Sequence, residues 1–291
     1  MNTSTTFKGL FFAAIAAMAS CTEPSLITDG GGTGVKGCTD PASVNYNPDA
    51  TVDDASCVYI QEKQNSVFVK FTATWCGPCG DWGAPAFTGA IDGNKGKLLG
   101  MSLQVSDNLT NAANGPMVDQ FSAKWAYTGT PNFAANEQMV GTSVGQAVSI
   151  VNDASQLAPT MGVGLRTSIG AGPNTGKINI DAYVKNFADV TGVYHLAIYF
   201  LAREIVETQK VGSTNDPNFV HHHVLMGAAT SGGAWGEEIL PSGGSKGGTK
   251  HWAKAVAYDP SLELDQMEIV AVIWKKKADG TFEFVNSTNN R

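Results

Sequence analysis

Charged residues are scarce in this sequence, and basic ones especially so. Only 15% of the 291 residues are charged, and 19 Lys and Arg stand against 26 Asp and Glu, which gives a formal net charge of −7. The one local basic run, at residues 275–277, adjoins an Asp-Gly turn and is predicted to be a solvated strand end. A protein without a basic surface lacks the attraction that binds phosphate backbones. The composition therefore argues against nucleic acid as a partner.

Long hydrophobic runs are also missing, apart from one near the N-terminus. Residues 9–19 are apolar over a length typical of a signal peptide and too short to cross a bilayer. Residues 18–21 (Met-Ala-Ser-Cys) resemble the lipobox of bacterial lipoproteins, where cleavage precedes a cysteine that is then acylated. We predict a lipoprotein signal peptide with acylated Cys21 over residues 1–21 and a flexible linker over residues 22–37, so that a lipid anchor holds the protein at the membrane. The alternative is an ordinary secretory signal with a cysteine nearby.

Cysteine is rare, at five residues, and their positions along the chain divide them into one single cysteine and two pairs. Cys21 is assigned to the lipid, which leaves four in an exported protein, where an oxidising compartment favours pairing. Cys38 and Cys57 bracket a polar loop, and a disulfide between them stabilises it by roughly 3 kcal/mol in the loop-entropy model. We predict a small disulfide-stapled module over residues 38–61, and this segment resembles a short module found in secreted proteins of Bacteroidetes. Binding of Ca²⁺ by its acidic side chains is the alternative, although EF-hand spacing is absent.

The remaining two cysteines form a Cys-x-x-Cys pair, Cys76 and Cys79. Residues 66–74 read as a buried strand and a helical segment follows, so Cys76 lies at a junction where free N–H groups and the helix dipole stabilise a thiolate. A spacing of three places Cys79 one turn further along, facing the first cysteine. Pro78 suits a first helical turn, and Trp75 covers one side of the sulfur. The pattern fits a reactive dithiol, and a metal clip and a plain staple are the alternatives.

The stretch Trp75-Cys76-Gly77-Pro78-Cys79 is similar to the thioredoxin active-site motif, and residues 129–133 resemble the cis-proline segment of that fold. The resemblance covers residues 62–162 and implies a thioredoxin-like domain. It implies Cys76 as the nucleophile and Cys79 as the resolving thiol, and no cofactor is predicted. The substrate-binding residues that it implies are Trp75, Gly77, Pro78, Thr130 and Pro131, the last as the cis-proline.

Two positions depart from the thioredoxin pattern. The family's buried acid, which relays the proton of the resolving thiol, is replaced by Lys70, and a protonated lysine cannot act as that base. If Lys70 points toward the sulfurs, its charge favours thiolate and shifts the pair toward an oxidant, which makes it a candidate catalytic residue. The alternative is that Lys70 snorkels to the strand end. Pro85 stands one position later than the family's helix-kinking proline, which predicts an irregular helix.

Beyond residue 162 the hydrophobic pattern has a period of two, and turn residues separate about seven short strands, which predicts a β-sandwich. The predicted fold is an α/β thioredoxin-like domain (62–162) followed by an all-β, immunoglobulin-like sandwich domain (163–291). The layout, together with short motifs in the C-terminal part, resembles an outer-membrane lipoprotein family of Bacteroidetes. Those motifs stand at residues 194–199, 222–225 and 235–239. The resemblance implies an exported protein anchored at the outer membrane, on its periplasmic face or at the cell surface.

A histidine triplet in the C-terminal part offers a metal alternative. On a strand, His221 and His223 share a face, which suits a two-histidine chelate. The histidine pair and the Cys-x-x-Cys pair lie in different predicted domains, so they are weak evidence for a shared metal site. No metal is therefore predicted, and these two histidines are weak candidates only.

Two hypotheses of different classes follow. In the first, the protein is an envelope-anchored thiol–disulfide oxidoreductase whose partners are protein thiols and disulfides. The Cys76 thiolate attacks a substrate disulfide, and Cys79 resolves the mixed disulfide. In the second, the protein is a surface-exposed binding or adhesion lipoprotein, and its Cys-x-x-Cys pair stays oxidised within a non-catalytic scaffold.

Overall fold

The N-terminal half of the chain alternates strands with short helices. The computed structural model describes residues 34–257 and 266–290, and the described residues from Val35 onward belong to one compact unit. The helices are α1 (Ala84–Gly93), α2 (Gly115–Lys124) and α3 (Val144–Ala154). The strands before residue 160 are β1 (Lys36–Gly37), β2 (Val52–Asp53), β3 (Ser66–Thr72), β4 (Leu98–Gln104), β5 (Asn132–Ala135) and β6 (Gln138–Gly141).

Proline and serine mark the starts of these helices. α2 carries Pro116 in its first turn, where the missing N–H removes no intrahelical hydrogen bond. Pro85 is the second residue of α1. Ser143 caps α3, because its side chain accepts a hydrogen bond from the Gln146 backbone N at 3.3 Å. A π-helical turn, Cys79–Gly83, precedes α1. The segment after the Cys-x-x-Cys pair is thus irregular.

The C-terminal half is built from strands. Those after residue 160 are β7 (Met161–Ile169), β8 (Lys177–Asn186), β9 (Val190–Thr191), β10 (Val193–Val206), β11 (Gln209–Val211), β12 (Thr214–Asp216), β13 (Val220–Ala228), β14 (Glu237–Leu240), β15 (Gly243–Gly244), β16 (Thr249–Ala257), β17 (Met267–Lys276) and β18 (Phe282–Asn289). Along β8 every second residue is buried, since successive side chains of a strand point to opposite faces. The period-two pattern therefore locates strands such as β8 correctly.

One large sheet runs through both halves of the chain and contradicts the predicted fold class. Its strand order is β18-β17-β10-β13-β4-β3-β5-β6, with β14 paired to β10. The two halves join where β13 pairs in parallel with β4, through Val224 and Ser102. The prediction of an α/β thioredoxin-like domain followed by a separate immunoglobulin-like sandwich is therefore wrong. The described chain is mostly β-strand, and strands from both predicted domains share one sheet.

This error has a physical cause. In an isolated N-terminal sheet, β4 would be an edge strand, whose unpaired backbone N–H and C=O groups accept another strand. β13 supplies that strand, and Ser102 Oγ also donates a hydrogen bond to the His222 carbonyl oxygen at 2.8 Å. The hydrophobic period indicates which segments are strands, but it does not indicate which distant strands pair.

Helices and a second sheet cover the two faces of the large sheet. On one face, α2 packs through Phe121 against alternate residues of the sheet, such as Val69 and Tyr199. Phe68, the neighbour of Val69, points to the opposite face and packs with residues of α1 and α3. On that same opposite face, Ile198 packs with residues of a three-stranded sheet, ordered β16-β8-β7.

A small module precedes the large sheet. The predicted disulfide between Cys38 and Cys57 is present and joins Cα atoms 4.7 Å apart. Tyr59 donates a hydrogen bond from its hydroxyl to Asp40 Oδ2 at 2.6 Å, which ties the end of the module to its start. The predicted signal peptide, the acylated Cys21 and most of the linker lie outside the described residues.

Candidate functional site

The Cys-x-x-Cys pair lies where β3 leads into α1, and it is oxidised. Cys76 and Cys79 form a disulfide, and the Cys79 backbone N donates to Cys76 Sγ at 3.2 Å. Only 5% of Cys76 and 1% of Cys79 is exposed. The sequence pattern leads us to expect an exposed sulfur at Cys76, whereas the structure buries it.

The hairpin of β11 and β12, which we call the covering hairpin, accounts for this burial. Its backbone pairs with the loop that carries the cysteines. Lys210 N donates to the Thr74 carbonyl oxygen at 2.8 Å, and Gly212 N donates to the Gly77 carbonyl oxygen at 3.1 Å. The loop and the hairpin are so close that a Cβ added at Gly77 would lie 2.2 Å from the Gly212 carbonyl oxygen. Glycine at position 77 is therefore required by the close approach of the hairpin.

A buried glutamine fixes the base of the covering hairpin. Gln209 is 1% exposed, and its Nε2 donates to the Cys76 carbonyl oxygen at 2.9 Å and to the Ala73 carbonyl oxygen at 3.2 Å. Both carbonyl oxygens also accept a backbone hydrogen bond within the loop, from Cys76 N and Cys79 N. The glutamine side chain therefore adds a second bond to each and joins the hairpin to the loop. We therefore expect the hairpin to hinder the approach of an external thiol to the disulfide.

The residues predicted to bind substrate do not surround an open sulfur. Trp75 and Pro78 are exposed, but Gly77 lies beneath the covering hairpin. The peptide bond between Thr130 and Pro131 is cis, as the thioredoxin resemblance implies. Pro131 itself is buried, and its side chain packs against the π-helical turn that begins at Cys79.

Lys70 is buried within the sheet. It is 3% exposed, and its Nζ lies 4.8 Å from the centre of the Phe87 ring. Burial lowers the pKa of Lys70 to about 7. Snorkelling to solvent, one of the two orientations considered from the sequence, is thus excluded.

The histidine triplet does not form a two-histidine chelate. His221 Nε2 lies 3.2 Å from the Glu207 carbonyl oxygen, whereas His223 Nδ1 lies 2.7 Å from Glu268 Oε2. Each ring therefore has a different partner. Within residues 34–257 and 266–290, no group of three or more His, Cys, Asp and Glu side chains is arranged to hold a metal ion.

A cleft of about 530 Å³ opens between α2 and the β17–β18 hairpin, and we call it the Trp235 cleft. The residues that line it include Gln120, Lys124, Trp235, Lys277, Asp279 and Phe282. Residues from α2, from the segment that contains Trp235 and from the β17–β18 hairpin therefore line the same cleft.

An ion pair between the covered side chain of Lys124 and the exposed Glu137 forms one side of the Trp235 cleft. Lys124 Nζ donates to Glu137 Oε2 at 3.0 Å and to the Phe282 carbonyl oxygen at 2.6 Å. It also lies 5.4 and 5.3 Å from the ring centres of Trp125 and Trp274. Burial lowers the pKa of Lys124, and Glu137 opposes this shift. The ammonium group is held by its neighbours and ties α2 to the hairpin.

Stacked aromatic rings form another side of the cleft. Trp235 and Phe282 lie parallel, with ring centres 4.8 Å apart and an interplanar angle of 7°. Behind them, Trp274 and Phe121 meet Trp235 edge-on, at 5.3 and 5.4 Å. Since Trp235 and Phe282 are only half-buried, each leaves ring surface open to the cleft.

Sequence reasoning missed both the covering hairpin and the cleft. Gln209 and Gly212 carry no local signal, since their role depends on a loop far away in sequence. Trp235 stands in one of the motifs noted above, and the aromatic residues of β17 and β18 follow some forty positions later. Their convergence depends on the pairing of distant strands.

Fold and site together define a β-rich protein with a closed Cys-x-x-Cys disulfide and an open aromatic cleft. Residues 118–288 match the family model described as outer membrane protein Omp28. That segment is more than half of the chain, and the chain belongs to the Omp28 outer membrane protein family. It is accordingly an exported protein of the outer membrane, as the sequence analysis predicts.

Among solved structures, the chain is similar to HBP35 of Porphyromonas gingivalis, with a TM-score of 0.65 and 18% identity over 79% of this chain and 76% of that chain. At this identity, the similarity shows the fold alone. The comparison with curated proteins gives no match. In the part of the chain that the structure describes, no helix has the length and apolar character needed to cross a membrane.

The family match separates the two sites. The residues that line the Trp235 cleft fall within residues 118–288, whereas Cys76 and Cys79 precede that segment. The part of the chain that matches its family therefore contains the cleft and lacks the cysteine pair.

Proposed function

We propose that this protein is an outer-membrane binding lipoprotein, anchored through Cys21, that takes an external ligand into the Trp235 cleft. In this proposal the Cys76–Cys79 disulfide is a structural element of a non-catalytic scaffold. One observation carries the proposal: the pre-formed aromatic cleft lies within the family-matched segment, while the cysteine pair lies outside it and beneath the chain's own hairpin. Concave sites with aromatic walls and a few placed polar groups are the usual form of small-ligand sites.

Thiol–disulfide exchange with protein partners is the competing function. It requires an ionised, reachable sulfur at Cys76. The burial of Cys76 and the backbone bonds of the covering hairpin oppose it. Reduction of insulin by dithiothreitol, followed as turbidity, separates the two functions. We expect the same rate with the wild-type protein and with the Cys76→Ser variant, and a clear loss of rate in Cys76→Ser would establish the redox function instead.

Binding at the cleft is tested with a variant that fills it. Ala123 lies exposed on α2 and lines the cleft, so Ala123→Arg blocks it without removing a core contact. Ala112→Arg, at an exposed turn before α2, is the matched control, because it makes the same change outside the cleft.

The assay is thermal unfolding of the purified protein with panels of neutral glycans, acidic glycans and peptides. A ligand at one hundred times its Kd stabilises the folded state by about 2.7 kcal/mol, which raises Tm by several degrees. We expect one panel to raise the Tm of the wild type and of Ala112→Arg, but not of Ala123→Arg. A ligand that stabilises all three proteins equally binds elsewhere and contradicts the proposed site.

A further inference from the structure

The Trp235 cleft offers rigid aromatic surface rather than a flexible apolar patch. Trp235 is fixed by Phe282, which stacks on one of its faces, and by Phe121 and Trp274, whose rings stand nearly perpendicular to it. Little side-chain entropy is therefore lost when a ligand contacts the open part of these rings. The face of an aromatic ring carries partial negative charge, which attracts the weakly positive C–H groups on the flat side of a sugar ring.

The charges around the cleft balance. Lys124 is paired with Glu137 at 3.0 Å. Lys277 lies two residues from Asp279 in the same hairpin. Two hydrogen bonds from Thr281 lower the pKa of the Asp279 carboxyl below its ordinary value, and the charge of Lys277 lowers it by a smaller amount. With two cations and two anions, the cleft has no net charge to attract a strongly acidic or strongly basic ligand.

The polar groups nevertheless include both donors and acceptors. Gln120 Oε1 accepts a hydrogen bond from Ala234 N at 2.7 Å, which fixes the orientation of its amide at the rim of the cleft. Lys277 adds a donor, and Asp279 adds an acceptor on the facing hairpin. A hydroxyl group is both donor and acceptor, so a ligand rich in hydroxyl groups uses such a mixed lining.

From the aromatic wall, the balanced charge and the mixed polar lining, we infer that the Trp235 cleft binds neutral oligosaccharides. This inference rests on the proposed binding function and names the chemical class of its ligand. The volume of about 530 Å³ lies within the range of small-molecule sites.

The test uses an array of neutral glycans built from glucose, mannose, galactose and N-acetylhexosamine units, beside acidic glycans and peptides. Binding to the glycans retained by the purified full-length protein is then measured by calorimetric titration. We expect saturable binding of at least one neutral oligosaccharide, a Kd at least tenfold weaker in Ala123→Arg, and no change in Ala112→Arg.

A second variant probes the aromatic contact directly. Trp235→Phe keeps a ring in the stack but offers less surface to the sugar, so we expect a loss of affinity of about two- to tenfold. An unchanged Kd in Trp235→Phe overturns the stacking argument. Far-UV circular dichroism of each variant excludes unfolding as the cause of a loss.

The failure of this inference differs from the failure of the proposed function. If no neutral glycan binds while a peptide or an acidic glycan binds the wild type and is lost in Ala123→Arg, the saccharide class is wrong and the binding site stands. If a neutral glycan binds with the same Kd in Ala123→Arg, the cleft is not the site and both proposals fail.

Discussion

Replacing Lys70 with methionine tests how the buried amine affects stability. Methionine has a similar length and carries no charge. The pKa of Lys70 falls from 10.5 to about 7 in the folded protein, because burial disfavours the ammonium form. In the unfolded chain the lysine keeps a pKa of about 10.4.

The direction of the pH effect follows from these two values. Between pH 7 and about 10 the unfolded state binds more protons at this residue than the folded state, so the free energy of unfolding rises with pH across that window. Below pH 7 the folded state also takes up the proton, and the full destabilisation by the buried charge is present. Each pKa unit corresponds to 1.36 kcal/mol, so the destabilisation shrinks by roughly 2 to 3 kcal/mol between pH 6.5 and 9.

The assay is urea unfolding of the wild type and of Lys70→Met at half-unit steps from pH 6.5 to 9, followed by tryptophan fluorescence. Lys70→Met is expected to gain stability over the wild type at pH 6.5, and to lose roughly 2 to 3 kcal/mol of that gain by pH 9. Burial is the main cause that lowers the pKa of His221 and of His222, and the charge of Lys70 is one of the smaller causes. Both histidines are present in both proteins, so they affect the difference only through their coupling to Lys70.

Lys246→Met removes an exposed lysine from a loop and serves as the control. Because the buried amine of Lys70 is kept in this variant, its stability should rise with pH in the same way as that of the wild type. A constant difference between Lys70→Met and the wild type over the same range would refute the argument, because it would mean that Lys70 titrates alike in the folded and unfolded states.

Two further predictions concern the covering hairpin and the N-terminal module. Gly77→Ala places a Cβ against the hairpin backbone and should destabilise the protein by about 1–3 kcal/mol. The same variant should speed the reduction of the buried disulfide by dithiothreitol. The reduction rate is measured by alkylation of the free thiols and mass spectrometry. Gly89→Ala, in α1 with open space at its Cβ, should instead stabilise by about 0.5–1 kcal/mol and leave the reduction rate unchanged. Equal reduction rates in both variants would show that the hairpin is no barrier. Joint replacement of Cys38 and Cys57 by serine should lower stability by about 3 kcal/mol and open the module to limited proteolysis, whereas unchanged cleavage would mean that the disulfide does not hold it together.

Local patterns in the sequence are sufficient for much of the secondary structure. Strand β8 shows the alternation of side chains that the period of two requires, and Pro85 marks an irregular helix start. The cysteine pair near the N-terminus is likewise predictable, because Cys38 and Cys57 bracket a loop with too few apolar residues to form a core.

Arrangements that depend on distant segments are beyond such patterns. The parallel pairing of β13 with β4 joins residues 224 and 102, and it converts two predicted domains into one sheet. The bond from Gln209 to the Cys76 carbonyl oxygen likewise spans the two halves. No hydrophobic period or turn signal near either partner predicts these contacts, since they depend on the whole sheet being formed.

The same dependence explains why a strong local motif leads to the wrong emphasis here. Trp75-Cys76-Gly77-Pro78-Cys79 has the residues that a reactive dithiol needs, but reactivity also requires an open approach to the sulfur. That approach is controlled by the covering hairpin, whose Gly212 N and Lys210 N bond to the carbonyl oxygens of Gly77 and Thr74. The protein's own backbone thus binds carbonyl groups on both sides of Cys76. A cysteine motif therefore predicts reactivity only when the surrounding surface leaves the sulfur accessible. In this protein the accessible aromatic surface lies at Trp235.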